Sequence, residues 1–410
     1  MFAKIGRAIV RRVLTSPMLN LAARRELRCD RAGGHPVSDD ARDHLVAALA
    51  WLERAQDATP DDGVARSYSV AWNPHFESRG WRPSYPETTG YIIPTLFDAA
   101  LSLDAPNLRE RAIRMADWEI AVQLESGAVQ GGVIGGRTPP TPAVFNTGQV
   151  ILGWVRAHRE TDREAYLDAA RRAADYLLDA QDGDGSFSKG RSKFARADCT
   201  TYYSRVAWPL CMLGKYIEEP RYVNAGERGI DFTLTRQHPN GWWADNCLID
   251  REHPLLHTIA YATRGVLEVG ILLEREDYIE AARRTALALA NAQREAGGLA
   301  GRFASDWSES ARWECLTGNA QTAIIWWKFA GLAGDAEFED RSRHACRMLM
   351  STQNRASSDP GLAGGIKGSY PLDGDYGRYE VLNWATKFFV DALLLTLPAG
   401  LPKRRLEVAS

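Results

Sequence analysis

Four side chains with acid–base or binding chemistry, His257, Tyr261, Arg264 and Glu268, recur at i, i+4, i+7 and i+11 in a stretch otherwise rich in Leu, Ile, Ala and Val. That spacing puts all four on one stripe of a helix. A polar stripe on an apolar helix lines a wet cavity or is paired internally. His257 and Tyr261, nearest the helix start, suit a cavity, whereas the deeper Arg264 and Glu268 suit a buried ion pair. Upstream, Tyr202, Arg205 and Trp208 share a face, as do Asn146 and Gln149; downstream come Asn319 with Thr322 and Asn383 with Lys387. Each group alone reads as capping of a first helical turn. Only their convergence on one mouth would make a site.

Carboxylates that could join them are Glu87, Asp198, Asp245, Asp250, Glu252, Asp306, Glu314, Asp373, Asp375 and Glu380. A glycoside hydrolase needs two facing each other across the scissile bond, but loop aspartates are mostly turn formers. Tyr85 and loop tryptophans, among them Trp81, Trp242 and Trp313, offer flat faces for a sugar, with about half of the loop tryptophans expected to pack over the rim instead. A zinc site at Asp245-Asn246-Cys247 is not expected, because no second cysteine or histidine follows at ligand spacing. No metal or cofactor is predicted.

The elements that would position these residues recur. Polar lead-ins at Pro86-Glu87-Thr88-Thr89-Gly90, Phe145-Asn146-Thr147-Gly148, Thr201-Tyr202-Tyr203, Leu256-His257-Thr258, Leu316-Thr317-Gly318-Asn319 and Asn383-Trp384-Ala385-Thr386 each open an apolar helix. Between them, amphipathic helices end at Gln56, Gln123, Gln181, Gln237, Gln293 and Gln353, each followed by a glycine-bearing loop; the last five share a register of 56 to 60 residues. Helix pairs of this kind cannot bury their apolar faces alone and must stack. The chain begins with a glutamine-type helix and ends with a lead-in helix, so first and last can pair. The expectation is an all-α, (α/α)6 toroid of six inner and six outer helices over 38–397, preceded by a basic leader (1–37) and followed by a polar tail (398–410). Connections into the inner helices are long and share one end of the ring. There the inner-helix N-termini favour an anionic ligand.

The 410 residues carry a net charge of −2, which argues against a nucleic-acid partner. Six scattered cysteines, Cys29, Cys199, Cys211, Cys247, Cys315 and Cys346, read as free thiols in the cytoplasm. Phe2, Ile5, Ile9 and Val13 form a stripe beside Lys4, Arg7, Arg11 and Arg12, so residues 1–25 could lie on the inner membrane surface.

The motifs from Tyr85 to Leu96, Asn146-Thr147-Gly148-Gln149, His257-Thr258-Ile259-Ala260-Tyr261, Leu316 to Gln321 and Asn383 to Phe389 together resemble a toroid family of exopolysaccharide and capsule loci, often labelled prenyltransferase/squalene-cyclase-repeat-like. More distantly the chain is similar to heparinase-like and alginate lyases, glucuronyl C5-epimerases and unsaturated glucuronyl hydrolases. Its glutamine–glycine loops look like the repeats of triterpene cyclases, but Asp373-Gly374-Asp375-Tyr376 departs from their Asp-x-Asp-Asp acid. The resemblance implies an enzyme on an acidic, uronate-containing polysaccharide or lipid-linked oligosaccharide, working by proton abstraction at C5 as a lyase or epimerase. Asn146 and Arg205 would then neutralise the carboxylate, His257 act as base, and Tyr202 or Tyr261 as acid. Trp81, Tyr85, Glu87, Trp242, Trp313, Asn319, Asn383 and Lys387 would bind sugar. A hydrolase with a carboxylate pair drawn from Glu87, Asp198, Glu252 or Glu314, and a non-catalytic glycan-binding or assembly factor, are the alternatives, with a terpene cyclase or prenyltransferase as a distant one.

Overall fold

A computed structural model describes residues 16–396 except 137–138, 191–195, 197 and 199. The polar tail, the membrane-surface stripe and Cys199 therefore lie outside the described residues. Helix α1 (Leu21–Arg31) precedes twelve helices that alternate outer and inner. The outer ones are α2 (Ala41–Asp57), α4 (Pro106–Val122), α6 (Glu164–Ala180), α8 (Pro220–Leu234), α10 (Glu276–Asn291) and α12 (Ala336–Thr352). The inner ones are α3 (Pro86–Leu103), α5 (Val144–Thr161), α7 (Ser204–Tyr216), α9 (Leu256–Leu273), α11 (Leu316–Ala333) and α13 (Asn383–Thr396). Each inner helix packs on the next, α13 returns to α3, and α2 packs on α13, which closes the (α/α)6 toroid.

The recurrent glutamine closes one outer helix onto the next. Gln181 Nε2 donates to Gly185 O (3.1 Å) in its own loop and to Ala225 O (2.9 Å) in α8, while Arg228 of α8 donates back to its Oε1 (2.7 Å). Gly185 has φ +91°, and a Cβ there would stand 2.2 Å from Arg228 O. The glycine is needed for both reasons. Gln123, Gln237 and Gln293 repeat the bridge. Gln353 completes the circle by donating to His44 O of α2 (3.1 Å), and His44 replaces the arginine by meeting its Oε1 at 2.6 Å.

Inner helices turn into outer ones through a short left-handed corner, at Asp104, Asp162, Glu274 and Gly334. All long loops are thereby gathered at the other end. Short strands lace those loops together: β1 (Ser67–Asn73) pairs antiparallel with β2 (Ser78–Trp81) and with β5 (Glu380–Leu382), and β3 (Glu314–Cys315) with β4 (Ser369–Tyr370).

Helix α1, inside the stretch read as leader, docks on the last long loop. Lys367 Nζ is fully buried between Glu26 Oε1 (2.6 Å) and Asp30 Oδ1 (2.5 Å), and His35 Nε2 lies 2.9 Å from Glu26 Oε1. Burial raises the Glu26 carboxyl, but Lys367 and His35 outweigh it and hold it at about 2. Glu26, Asp30 and His35 have the spacing of metal ligands, yet the ammonium group lies against both carboxylates. The five described cysteines are free thiols, and no described helix is long and apolar enough to cross a membrane.

Candidate active site

The first inner helix opens with Pro86 at its first position, where a missing N–H costs nothing, so Glu87 falls in the first turn facing the mouth. Tyr85 OH donates to Glu87 Oε2 at 2.6 Å. Burial pushes the Glu87 carboxyl up to about 7, against the opposing pull of Tyr85 and Arg66. Arg66 lies over the Trp384 ring at 4.9 Å and reaches Glu380 at 3.4 Å. Glu87 in turn raises the hydroxyls of Tyr202 and Tyr261, whose burial already does so.

His257 is next to this group. Its ring is 4.3 Å from Tyr261 and 5.4 Å from Tyr376, centre to centre, and Gln321 Nε2 donates to its Nδ1 at 2.8 Å, leaving the ring proton on Nε2. Burial first, then Arg205, push its pKa down to about 3. The base expected at His257 is therefore a neutral ring, because burial and the neighbouring guanidinium both disfavour its cation.

Arg205 is fully buried beneath Tyr261, stacked on Trp208 at 4.5 Å and on Tyr261 at 5.7 Å. None of its guanidinium nitrogens has a hydrogen-bond partner, and burial together with Arg264 lowers it to about 10. Lower in the ring runs a charged belt. Arg264 and Lys328 share Glu268, as the helix-stripe reading anticipated for Arg264 and Glu268; Arg156 pairs with Asp98 (2.6 Å) and Lys387 with Asp391 (2.5 Å). Arg156 also meets Glu160 at 2.9 Å, so with Arg205 five cations face four carboxylates and the axis below the mouth keeps an excess of one positive charge. Lys387, lowered to about 8 chiefly by burial, belongs to this belt rather than to the open mouth.

Asn146, Tyr202, Arg205, His257, Tyr261, Tyr85 and Glu87 thus converge. Asn146 also donates to Gln130 O at 3.0 Å. Other candidates serve the scaffold. Asn319 clamps its loop by accepting from Leu299 N (2.8 Å) and donating to Leu299 O (3.2 Å). Asn383 Nδ2 donates to Ala65 O and Thr88 Oγ1. Trp81 packs on Trp51 and Tyr68, Trp242 is buried against Trp307, and Trp313 covers Gly301 and Gly374. Among the other proposed carboxylates, Glu314 is tied to Arg294 at 3.1 Å, Asp198 pairs with Arg196 and Arg251, and Glu252 is exposed. Arg66, Tyr376 and Gln321 were not singled out from sequence. The first two sit on loops without periodicity, whereas Gln321, four residues from Thr317 on the lead-in turn, carried a readable helical signal.

No family model and no curated protein matches the chain. Solved structures do. An unsaturated glucuronyl hydrolase specific for heparin aligns with a TM-score of 0.69 at 16% identity, over 88% of this chain and 97% of that one. The unsaturated glucuronyl hydrolase of Bacillus sp. GL1, described as responsible for glycosaminoglycan degradation, gives 0.66 at 15%, over 87% and 96%. Cellobiose 2-epimerase from Bacillus thermoamylovorans gives 0.67 at 10%, over 90% and 98%. At such identities the likeness establishes the fold that this chain shares with these carbohydrate-processing enzymes.

Proposed function

We propose that the chain is a carbohydrate-active enzyme that hydrolyses an acidic, uronate-containing glycan at the toroid mouth, with Glu87 as its acid. The observation that carries this reading is the Glu87 carboxyl, held at about 7 at the centre of the converging side chains. A general acid works best when its pKa lies near the operating pH. With Glu314 and Asp198 tied to arginines and Glu252 exposed, Glu87 takes in this reading both roles that a carboxylate pair would share. It gives its proton to the bridging oxygen as the glycosidic bond breaks, Tyr85 OH stabilises the carboxylate left behind, and that carboxylate takes a proton from the water that adds to the sugar. The positive belt and six inner-helix N-termini favour a carboxylate-bearing sugar. The uronate-processing hydrolases of like fold support the same substrate class.

Proton abstraction at C5, giving a lyase or epimerase, is the second reading. It is favoured by Tyr261 lying against Arg205, whose charge opposes the rise in the phenol's pKa. Tyr261 would then carry the proton, with Tyr202 and neutral His257 as donors. Incubation with uronate oligosaccharides in deuterated water separates the readings: reducing ends without ultraviolet absorbance support hydrolysis, new absorbance a lyase, and deuterium at C5 without cleavage an epimerase. Binding without turnover would leave only the glycan-binding alternative. Recruitment to a lipid-linked substrate through residues 1–25 belongs to the proposal, and equal liposome binding by a variant lacking them would remove it.

A further inference from the structure

Away from the converging side chains, a cavity of about 460 Å³ opens between the loops that follow α6 and α8. Phe187 and Phe232 are its apolar side chains; the rest of the lining is polar and includes the carboxylates Asp184, Asp198 and Asp245 with the cations Arg236 and Arg251. The volume falls in the range of small-ligand sites, and two aromatic rings within a largely polar lining suit a hydroxyl-rich ligand. Arg236 lies over the Phe232 ring at 5.0 Å, which fixes its plane, and pairs loosely with Asp245 Oδ2 at 3.3 Å. Its Nε is buried without a hydrogen-bond partner. A planar cation held on an aromatic face among carboxylates suits a sugar ring with its hydroxyls.

The cavity also shares a wall with the mouth. Thr200 and Thr201 line it, and the next residues, Tyr202 and Tyr203, turn inward: Tyr202 stacks near Phe145 at 5.3 Å and Tyr203 lies 6.0 Å from the cavity's Phe187. The segment from Thr200 to Tyr203 thus contributes both to the cavity and to the converging side chains. We infer that this cavity is a distal subsite for a further sugar unit of the same glycan, with Arg236 over Phe232 as its recognition element. The inference rests on the glycan reading of the mouth and adds to it a preference for chain length.

The test compares the full chain with Arg236→Ala and Phe232→Ala on uronate oligosaccharides from disaccharide to octasaccharide, reading both binding and kcat/KM. A loss of roughly tenfold confined to the longer oligosaccharides, with the disaccharide unchanged, is the expected result. Loss equal at every length, or none, overturns the subsite. Binding is scored separately from turnover: a length-dependent loss of affinity without any catalysis would retain the subsite and sink the hydrolase reading. Unchanged thermal midpoints and disaccharide turnover exclude misfolding as the cause of a selective loss.

Discussion

Glu87 is under opposed demands from folding and from proton transfer. Its carboxyl is raised from 4.5 to about 7, so the stability it contributes is complete below about pH 4.5 and is lost as pH rises through 7. Glu87→Gln removes that loss. The variant is expected to be more stable than the parent at alkaline pH by roughly 1–3 kcal/mol, equal to it in acid, and slower in turnover by about 10²–10⁴-fold. Thermal melts at both pH extremes and initial rates check this, and parent turnover should itself fall as pH rises through 7. His257 shifts the other way. Lowered from 6.5 to about 3, it binds no proton in the folded chain where the unfolded chain does, so stability falls as pH drops below about 6.5. Its ring resonances in NMR should stay those of neutral imidazole between pH 8 and pH 5, and a midpoint inside that window would refute the assignment. Sequence placed Glu87 and His257 in first helical turns but could not show their shifts. Both arise chiefly from burial: Arg66 only opposes the rise at Glu87, whereas Arg205, on the neighbouring inner helix, adds to the fall at His257.

Helices and loops were more legible than charges, because their signals are local. The glutamine register marked the outer helices and the polar lead-ins the inner ones, and both follow from hydrogen bonds made once per repeat. Gln181→Ala should leave Ala225 O, Gly185 O and Arg228 without their partner and cost roughly 1–3 kcal/mol, read as a lower denaturant midpoint. Helix α1 was not legible, since Leu21–Arg31 reads as a charged segment until its acids find Lys367 some 340 positions away. Replacing Lys367 by Met strands Glu26 and Asp30 in the interior, with an expected loss of about 3–5 kcal/mol. The Glu26 part of that stabilisation is complete above pH 4.5 and fades toward pH 2, so the gap between variant and parent should narrow in acid. A gap that widened in acid would contradict the lock.

Closure distinguishes this ring from an open stack of the same helix pairs. In an open array each repeat meets only its neighbours, and unfolding can begin at either end and proceed stepwise. Here α13 packs on both α3 and α2, Gln353 of α12 bonds to His44 of α2, and β1 pairs with β5, so the first and last repeats are joined by helix packing, a side-chain hydrogen bond and a strand pair. Loss of any repeat therefore opens the ring and exposes the apolar faces on both sides of the gap. Unfolding should be one cooperative transition, with helical and tryptophan signals coinciding and hydrogen exchange in α2 and α13 as slow as in α7 and α9. His44→Ala tests the seam directly. It removes the group that meets Gln353 Oε1 and should lower the single midpoint while keeping one transition. Early exchange limited to α2 and α13 would mean that the seam is an end, and that the net-positive axis depends on a ring that opens.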